Sequence, residues 1–177
     1  FNMAMEYPIE QYKNIRFFIG DVRDFQRLKR ACEDVDYIIH AAAMKHVSIA
    51  EYNPDECIKT NIGGAQNVIH AALQTSVSKV VALSTDKACA PTNVYGMSKA
   101  IAERIVTSSS TYKGGPKFIG VRYGNVLESR GSVIPLFKHQ SEHQSAITVT
   151  HKEMTRFIMT LDQSIDLIEA TISGAEH

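Results

Sequence analysis

The residues Lys79-Val80-Val81-Ala82-Leu83-Ser84, continued by Thr85-Asp86-Lys87-Ala88 and, past Pro91 and Asn93, by Tyr95-Gly96-Met97-Ser98-Lys99, decide the fold. The first six are a short apolar run, the pattern of a strand covered on both faces in a parallel sheet. From Tyr95 to about Val106 the apolar residues return at helical spacing. Tyr95 and Lys99 stand at i and i+4, so they share one helix face. An ammonium placed there is expected to draw the Tyr95 phenol down from its ordinary value of about 10. Tyr95 would then serve as a general base. A Tyr-x-x-x-Lys pair alone is a weak motif; its position at a helix start directly after a buried strand gives it weight.

Outward from this segment, strands and helices alternate. Ile15 to Gly20 is expected to be a strand ending at Asp21, and Asp24 to cap a helix from Phe25 to Cys32. Tyr37-Ile38-Ile39-His40 reads as a second buried strand that opens into Ala41-Ala42-Ala43. A long helix is expected from Pro54 to Gln74, and a strand over Phe118-Ile119-Gly120-Val121-Arg122. Pro135 to His139 and Thr160 to Ile172 read as helical, Ala146 to Val149 as extended, and Thr107 to Lys117 as a flexible linker. This order implies parallel βαβ units, an α/β class fold with a doubly wound, Rossmann-like sheet. Ligands in such sheets bind outside the carboxyl ends of the strands, where Asp21, His40 to Ala43, Ser84 to Lys87 and Arg122 to Asn125 fall.

Composition narrows the function. The 177 residues carry a formal net charge of zero. No basic run or basic amphipathic helix points to nucleic acid or to an anionic membrane surface. No apolar stretch approaches a membrane span, so neither a membrane nor a nucleic-acid partner is expected and a cytoplasmic location is the default. Cys32, Cys57 and Cys89 are odd in number and widely spaced, as reduced thiols are. Cys89 reads as a small residue lining a pocket. His139 and His143 sit in an exposed polar segment, so no metal is expected.

A series of motifs then appears in order: Asp21-Val22-Arg23-Asp24, His40 to Val47, Glu51-Tyr52-Asn53-Pro54, Lys59-Thr60-Asn61-Ile62, Ser84 to Ala88, Tyr95 to Lys99, Arg122 to Val126, Ser129-Arg130-Gly131-Ser132-Val133 and Met154-Thr155-Arg156-Phe157. With them the chain resembles the inverting UDP-N-acetylglucosamine 4,6-dehydratases, the polysaccharide biosynthesis branch of the extended short-chain dehydrogenase/reductase superfamily, from Arg16 to about Leu167. Thr-Asp-Lys ahead of Tyr-x-x-x-Lys is the specific part. Departures are mild: Ser48 stands where proline is usual, Glu128 where glycine is common and His151 where aspartate is common.

The resemblance implies a division of labour. Thr85, Asp86, Lys87, Tyr95 and Lys99 would be catalytic. Tyr95 would take the proton of the sugar C4 hydroxyl, Lys87 would remove the C5 proton, and Asp86 would protonate the departing C6 hydroxyl. Acid and base need to face different sides of the leaving bond, and neighbours at a strand end can point apart. Asp21, Val22, Ala41, Ala42, Lys45, Thr60, Asn61, Tyr95, Lys99 and Val126 would hold the cofactor, NADP in preference to NAD. Asn61, a poor helix-interior residue, would hold a water and the backbone near Lys99. Lys45, Asn125, Arg130, Val133 and Arg156 would contact a UDP-sugar, and the full-length protein would be a homo-oligomer.

No Gly-x-x-Gly-x-x-Gly or Gly-x-Gly-x-x-Gly loop occurs in the chain. A dinucleotide fold uses that loop to approach the pyrophosphate. The expectation is therefore an internal fragment lacking the first βαβ unit. Residues 1–122 would be the rest of the NADP-binding domain and residues 123–177 the start of a small substrate-binding domain. The fragment alone is expected to be inactive. In the strand order 3-2-1-4-5-6, the Ile15 strand would be the third and the Tyr37 strand the fourth, so the two would not pair. Two other readings remain: a nucleotide-sugar 4-epimerase, which has no use for Asp86 and Lys87 as an acid–base pair, and a truncated, non-catalytic nucleotide-binding relative.

Overall fold

A computed structural model of the chain describes residues 2–129, 132–143 and 146–174. In chain order the elements are α1 (Asn2–Glu6), α2 (Phe25–Ala31), β1 (Tyr37–His40), α3 (Val47–Tyr52), α4 (Pro54–Ile58), a π-helical turn at Lys59–Gly63, α5 (Gly64–Leu73) and β2 (Lys79–Thr85). A 3₁₀ turn at Asp86–Ala88, α6 (Val94–Ser108), a second 3₁₀ turn at Ser109–Thr111 and β3 (Lys117–Tyr123) follow. Then come β4 (Asn125–Val126), α7 (Val133–His143), β5 (Ile158–Met159) and α8 (Leu161–Gly174).

The parallel sheet expected from the alternating pattern is present, in the order β1-β2-β3. Its register runs from Lys79 beside Lys117 to Thr85 beside Tyr123, so the carboxyl ends of β2 and β3 lie level. Successive strand residues face opposite sides. Arg122 reaches Glu103 on α6, whereas the Tyr123 hydroxyl donates to the Ser164 carbonyl on α8 at 2.8 Å. Helices thus cover both faces, as a doubly wound sheet requires. On the α6 side Val80, Ala82 and Phe118 pack with Ala65, Val68, Ile69, Ala102 and Val106 in the main core. Each larger side chain buried there contributes about 1.5–3 kcal/mol.

Local signals act as read. The Asp24 side chain accepts from the Arg27 amide at 3.0 Å and caps α2. Thr160 and Gln163 exchange side-chain-to-amide bonds at 3.1 and 2.9 Å, a capping box that starts α8. The long helix over Pro54 to Gln74 is one run in three parts, its middle turn widened to π geometry around Asn61.

Four expectations need correction. Residues 15–20 form no strand: they are irregular and do not pair with β1, and Ile19 is 93% exposed. No neighbouring strand offers these backbone groups a ladder among the described residues, and an apolar run without one has no reason to extend. For the same reason β1 is not covered on both faces: Tyr37 and Ile39 are half exposed. The span Thr107 to Lys117 is no loose linker, because α6 continues to Ser108 and the Ser110 hydroxyl bonds the Phe118 carbonyl at 2.8 Å. Residues 146–149 are irregular; the Thr148 amide donates to the Gln140 side chain at 3.1 Å instead of to a strand.

Candidate functional site

The carboxyl ends of β2 and β3, the start of α6 and the β4–β5 pair meet at one cleft. Thr85 ends β2, and its hydroxyl accepts from the Lys87 amide at 3.3 Å, which turns the chain into the Asp86–Ala88 3₁₀ turn. The same hydroxyl donates to Asp86 Oδ1 at 2.9 Å. Asn93 caps α6 by accepting from the Gly96 amide at 2.8 Å. A Cβ at position 96 would lie 2.5 Å from the Lys87 carbonyl oxygen, so glycine is what lets the helix start rest on the turn.

Lys87 Nζ donates to Asp86 Oδ1 and to Asn125 Oδ1, each at 3.0 Å. Asp86 and Lys87 therefore do not point apart, as the sequence reading expected. Successive side chains of a 3₁₀ turn leave its axis about 120° apart, but the long Lys87 side chain folds back along the turn and opposite charges close the gap. Partial burial works to raise the Asp86 carboxyl, but hydrogen bonds from Lys87 and Thr85 outweigh it and hold it below its ordinary value.

Tyr95 and Lys99 share the inner face of α6, but the expected pairing is not seen. Lys99 is buried and its Nζ donates to the Leu83 carbonyl at 2.5 Å. Burial pushes the Tyr95 phenol up rather than down; the Thr85 hydroxyl opposes this, while Asp86 and Cys57 add to it. Burial also lowers the Lys99 ammonium, with Glu103 acting the other way. His40, at the end of β1, is held down to about 4 by burial and by the Lys99 charge.

A cavity of about 480 Å³ opens here, lined by Val47, Asp86, Lys87, Asn93, Thr155, Arg156 and Phe157. Arg156 is exposed on its wall, hydrogen-bonded to the Thr155 carbonyl at 2.7 Å. The wall is tied to the sheet end: the Asn125 amide donates to the Phe157 carbonyl at 2.7 Å, and β4 pairs with β5. A larger cavity of about 610 Å³ lies at the opposite, amino ends of the strands. It holds no acid–base pair, and the amine of its Lys79 is taken by the Ile172 carbonyl.

The residues expected from the sequence to hold a cofactor divide into two places. Asp21, Val22, Ala41 and Ala42 line a separate cavity of about 290 Å³ with Phe18, Ile38 and Ile39. Its walls are mostly apolar, with Asp21, Arg27 and His40 as the charged or titratable residues of the lining. Hydrogen bonds from Arg23 hold the Asp21 carboxyl down to about 2. Asn61 binds the Met44 backbone through both ends of its amide, at 2.8 and 3.0 Å, and donates to Ser98 Oγ at 2.9 Å. The expected backbone contact near Lys99 is thus made to Met44, across the loop that leads to Lys45, and to the Ser98 side chain. Lys45 is exposed on that loop, Thr60 is half-buried in the π turn, Val126 is half-buried on β4, and Val133 is exposed at the start of α7. Arg130 lies outside the described residues.

Some partners escaped the sequence reading. Glu103 receives Ser84 Oγ at 2.7 Å and both ends of the Arg122 guanidinium at 2.6 and 2.9 Å, which locks β2, β3 and α6 together below the cleft. Glu128 has φ 57, which accounts for the glycine common at that place. His151 Nδ1 accepts from the Glu153 amide at 3.2 Å, the local turn contact an aspartate would make.

Comparison with known proteins places this geometry. A family model described as "Polysaccharide biosynthesis protein" matches residues 1–177. The chain is 52% identical over 157 residues to an inverting UDP-N-acetylglucosamine 4,6-dehydratase of Campylobacter jejuni, covering 87% of this chain and 47% of that protein. It is 51% identical over 166 residues to an uncharacterized membrane protein of Methanocaldococcus jannaschii, covering 93% of this chain and 50% of that one. It is 46% identical over 159 residues to a UDP-glucose 4-epimerase of Rickettsia typhi, covering 89% and 47%. The chain thus spans about half the length of the curated relatives it matches. Among solved structures, Pen from Bacillus thuringiensis superposes with TM-score 0.92 at 47% identity, covering 99% of this chain and 56% of that one. DesIV, a dTDP-glucose 4,6-dehydratase from Streptomyces venezuelae with NAD and TYD bound, superposes with TM-score 0.87 at 24% identity, covering 98% and 59%. No helix among the described residues is long and apolar enough to cross a membrane. The chain belongs to the polysaccharide biosynthesis protein family.

Proposed function

We propose that this member of the polysaccharide biosynthesis protein family carries the catalytic centre of a nucleotide-sugar 4,6-dehydratase, acting on UDP-N-acetylglucosamine and inverting C5. The observation that carries the reading is the Lys87–Asp86 hydrogen bond at the mouth of the cleft. A nicotinamide dinucleotide, NADP in this reading, would supply reversible oxidation, accepting a hydride from C4 and returning it at C6. Asp21, Val22, Ala41 and Ala42 would hold its adenine end, with Lys45, Thr60, Asn61, Lys99 and Val126 along its length. Residues 1–122 would form the dinucleotide side of the cleft and residues 123–177 the sugar-nucleotide side.

Tyr95 takes the C4 hydroxyl proton, with the Thr85 hydroxyl beside it to steady the oxygen. The resulting 4-keto group acidifies the C5 hydrogen. One proton shift across the 3.0 Å Lys87–Asp86 bond turns the ion pair into a neutral amine and a carboxylic acid, the base and acid that elimination needs. Lys87 then accepts the C5 proton, the C5–C6 double bond forms, and the C6–O bond breaks as Asp86 gives its proton to the leaving hydroxyl. Water departs. The ion-paired contact thus serves the roles that the sequence assigned to opposed side chains. Arg156 on the cleft wall supplies forked donors suited to diphosphate oxygens, and Lys45, Asn125, Arg130 and Val133 would be the other substrate contacts in this reading.

The 4-epimerase reading shares Tyr95 and Lys99 and leaves Asp86 and Lys87 unemployed. Turnover in deuterium oxide separates the two. Dehydration exchanges the C5 hydrogen with solvent, so deuterium appears at C5 of the product. Epimerisation leaves the C5 hydrogen in place, and a product without deuterium there contradicts the reading.

A further inference from the structure

Asn125 stands out in the cleft because its amide is only half used. Its Oδ1 accepts from Lys87 Nζ at 3.0 Å, while its Nδ2 is buried with no hydrogen-bond partner. Buried amide groups are almost always paired, and one left unpaired costs free energy. Turning the amide over gives no relief, since it would set an NH₂ group against the lysine ammonium. The fold therefore keeps the carbonyl on Lys87 at the expense of a stranded donor. Local rules are broken in this way where function requires it.

The backbone beneath Asn125 is fixed to match. Its amide donates to the Phe157 carbonyl at 2.7 Å, and the Leu127 amide donates to the Met159 carbonyl at 2.9 Å. Gly124 lies so close to the strand beside it that a Cβ would sit 2.6 Å from the Phe157 carbonyl oxygen. One residue thus joins the wall that carries Thr155, Arg156 and Phe157 to the amine of Lys87. Lys87 has four rotatable side-chain bonds and is partly exposed, so Asp86 alone leaves it free to swing about one contact. A second acceptor from a different element removes that freedom.

We propose that Asn125 is a positioning residue: its carbonyl aims the Lys87 amine at the C5 hydrogen, beyond any contact it makes with the nucleotide sugar. The inference rests on the dehydratase reading above. Removing the carbonyl leaves oxidation at C4 intact and slows C5 proton removal until it limits turnover.

The test uses the protein that carries this chain, with Asn125→Leu and Asn125→Ser, and UDP-N-acetylglucosamine bearing hydrogen or deuterium at C5. Leucine keeps the volume without the acceptor; serine is too short to reach Lys87 and serves if the leucine variant does not fold. The expected result is kcat lower by about 100-fold, the loss typical of a misplaced reacting group, with KM changed by less than about threefold and a larger C5 isotope effect on kcat than in the parent. A rise in KM with kcat and isotope effect unchanged would overturn the proposal and leave Asn125 a plain substrate contact. A lower kcat with an unchanged isotope effect would overturn it as well. If the unmodified protein dehydrates nothing, the underlying reading falls, an outcome distinct from both.

Discussion

The carbonyl oxygen of Lys87 rests against the α-carbon of Gly96, with room for no side chain: a Cβ there would lie 2.5 Å away. This contact sets the distance between the two halves of the site, the Asp86–Lys87 turn and the helix that carries Tyr95 and Lys99. Gly96→Ala is expected to push the helix start off the turn. Stability should fall by about 1–3 kcal/mol, the usual cost of overpacking, and turnover should fall more than tenfold even where the protein is folded. Denaturant unfolding and steady-state kinetics check this, and a variant with parental kcat would refute it.

Lys87→Ala should abolish water loss and still permit oxidation at C4, because Tyr95 and Lys99 are held on α6 and not by the Lys87 side chain. Absorbance of the reduced nicotinamide reports the first step, and loss of the C6 hydroxyl reports the second. Dehydration at the parental rate would remove Lys87 from the role of base.

His40 makes stability depend on pH. Its pKa of about 4 lies below the ordinary 6.5, chiefly through burial and secondarily through the charge of Lys99. The unfolded chain binds the proton more readily, so His40's contribution is complete above about 6.5 and is lost as pH falls toward 4. That difference amounts to about 3 kcal/mol at 1.36 kcal/mol per pH unit. Urea midpoints measured from pH 7.5 to 4.5 should decline more steeply in the parent than in His40→Gln. Equal slopes would show that other groups carry the acid sensitivity.

The sequence showed the frame of the site more clearly than its contacts. The apolar run Lys79 to Ser84 and the helical spacing after Tyr95 follow from burial periodicity, which a single chain displays openly. Residues 15–20 have the same apolar character but no neighbouring strand among the described residues, and sequence pattern cannot supply a ladder partner. The strands β4 and β5 are too short to show any period. The Asp86–Lys87 contact and the Lys99 bond to Leu83 depend on side-chain directions in a tight turn and a buried helix, beyond what i and i+4 spacing reveals. The same holds for the phenol of Tyr95, where burial raises the group and the Thr85 hydroxyl, not the Lys99 charge that spacing suggested, opposes it. The resemblance marks glycine as common in place of Glu128, and the Glu128 φ of 57 gives the reason.

The central claim is that this cleft removes water from a nucleotide sugar. Proton NMR of UDP-N-acetylglucosamine incubated with the protein that carries this chain and NADP tests it most directly. The account predicts loss of the two C6 hydroxymethyl signals and growth of a methyl doublet, the mark of a 4-keto-6-deoxy product. A product that keeps its C6 hydroxymethyl group and differs only at C4 would contradict the account and identify an epimerase.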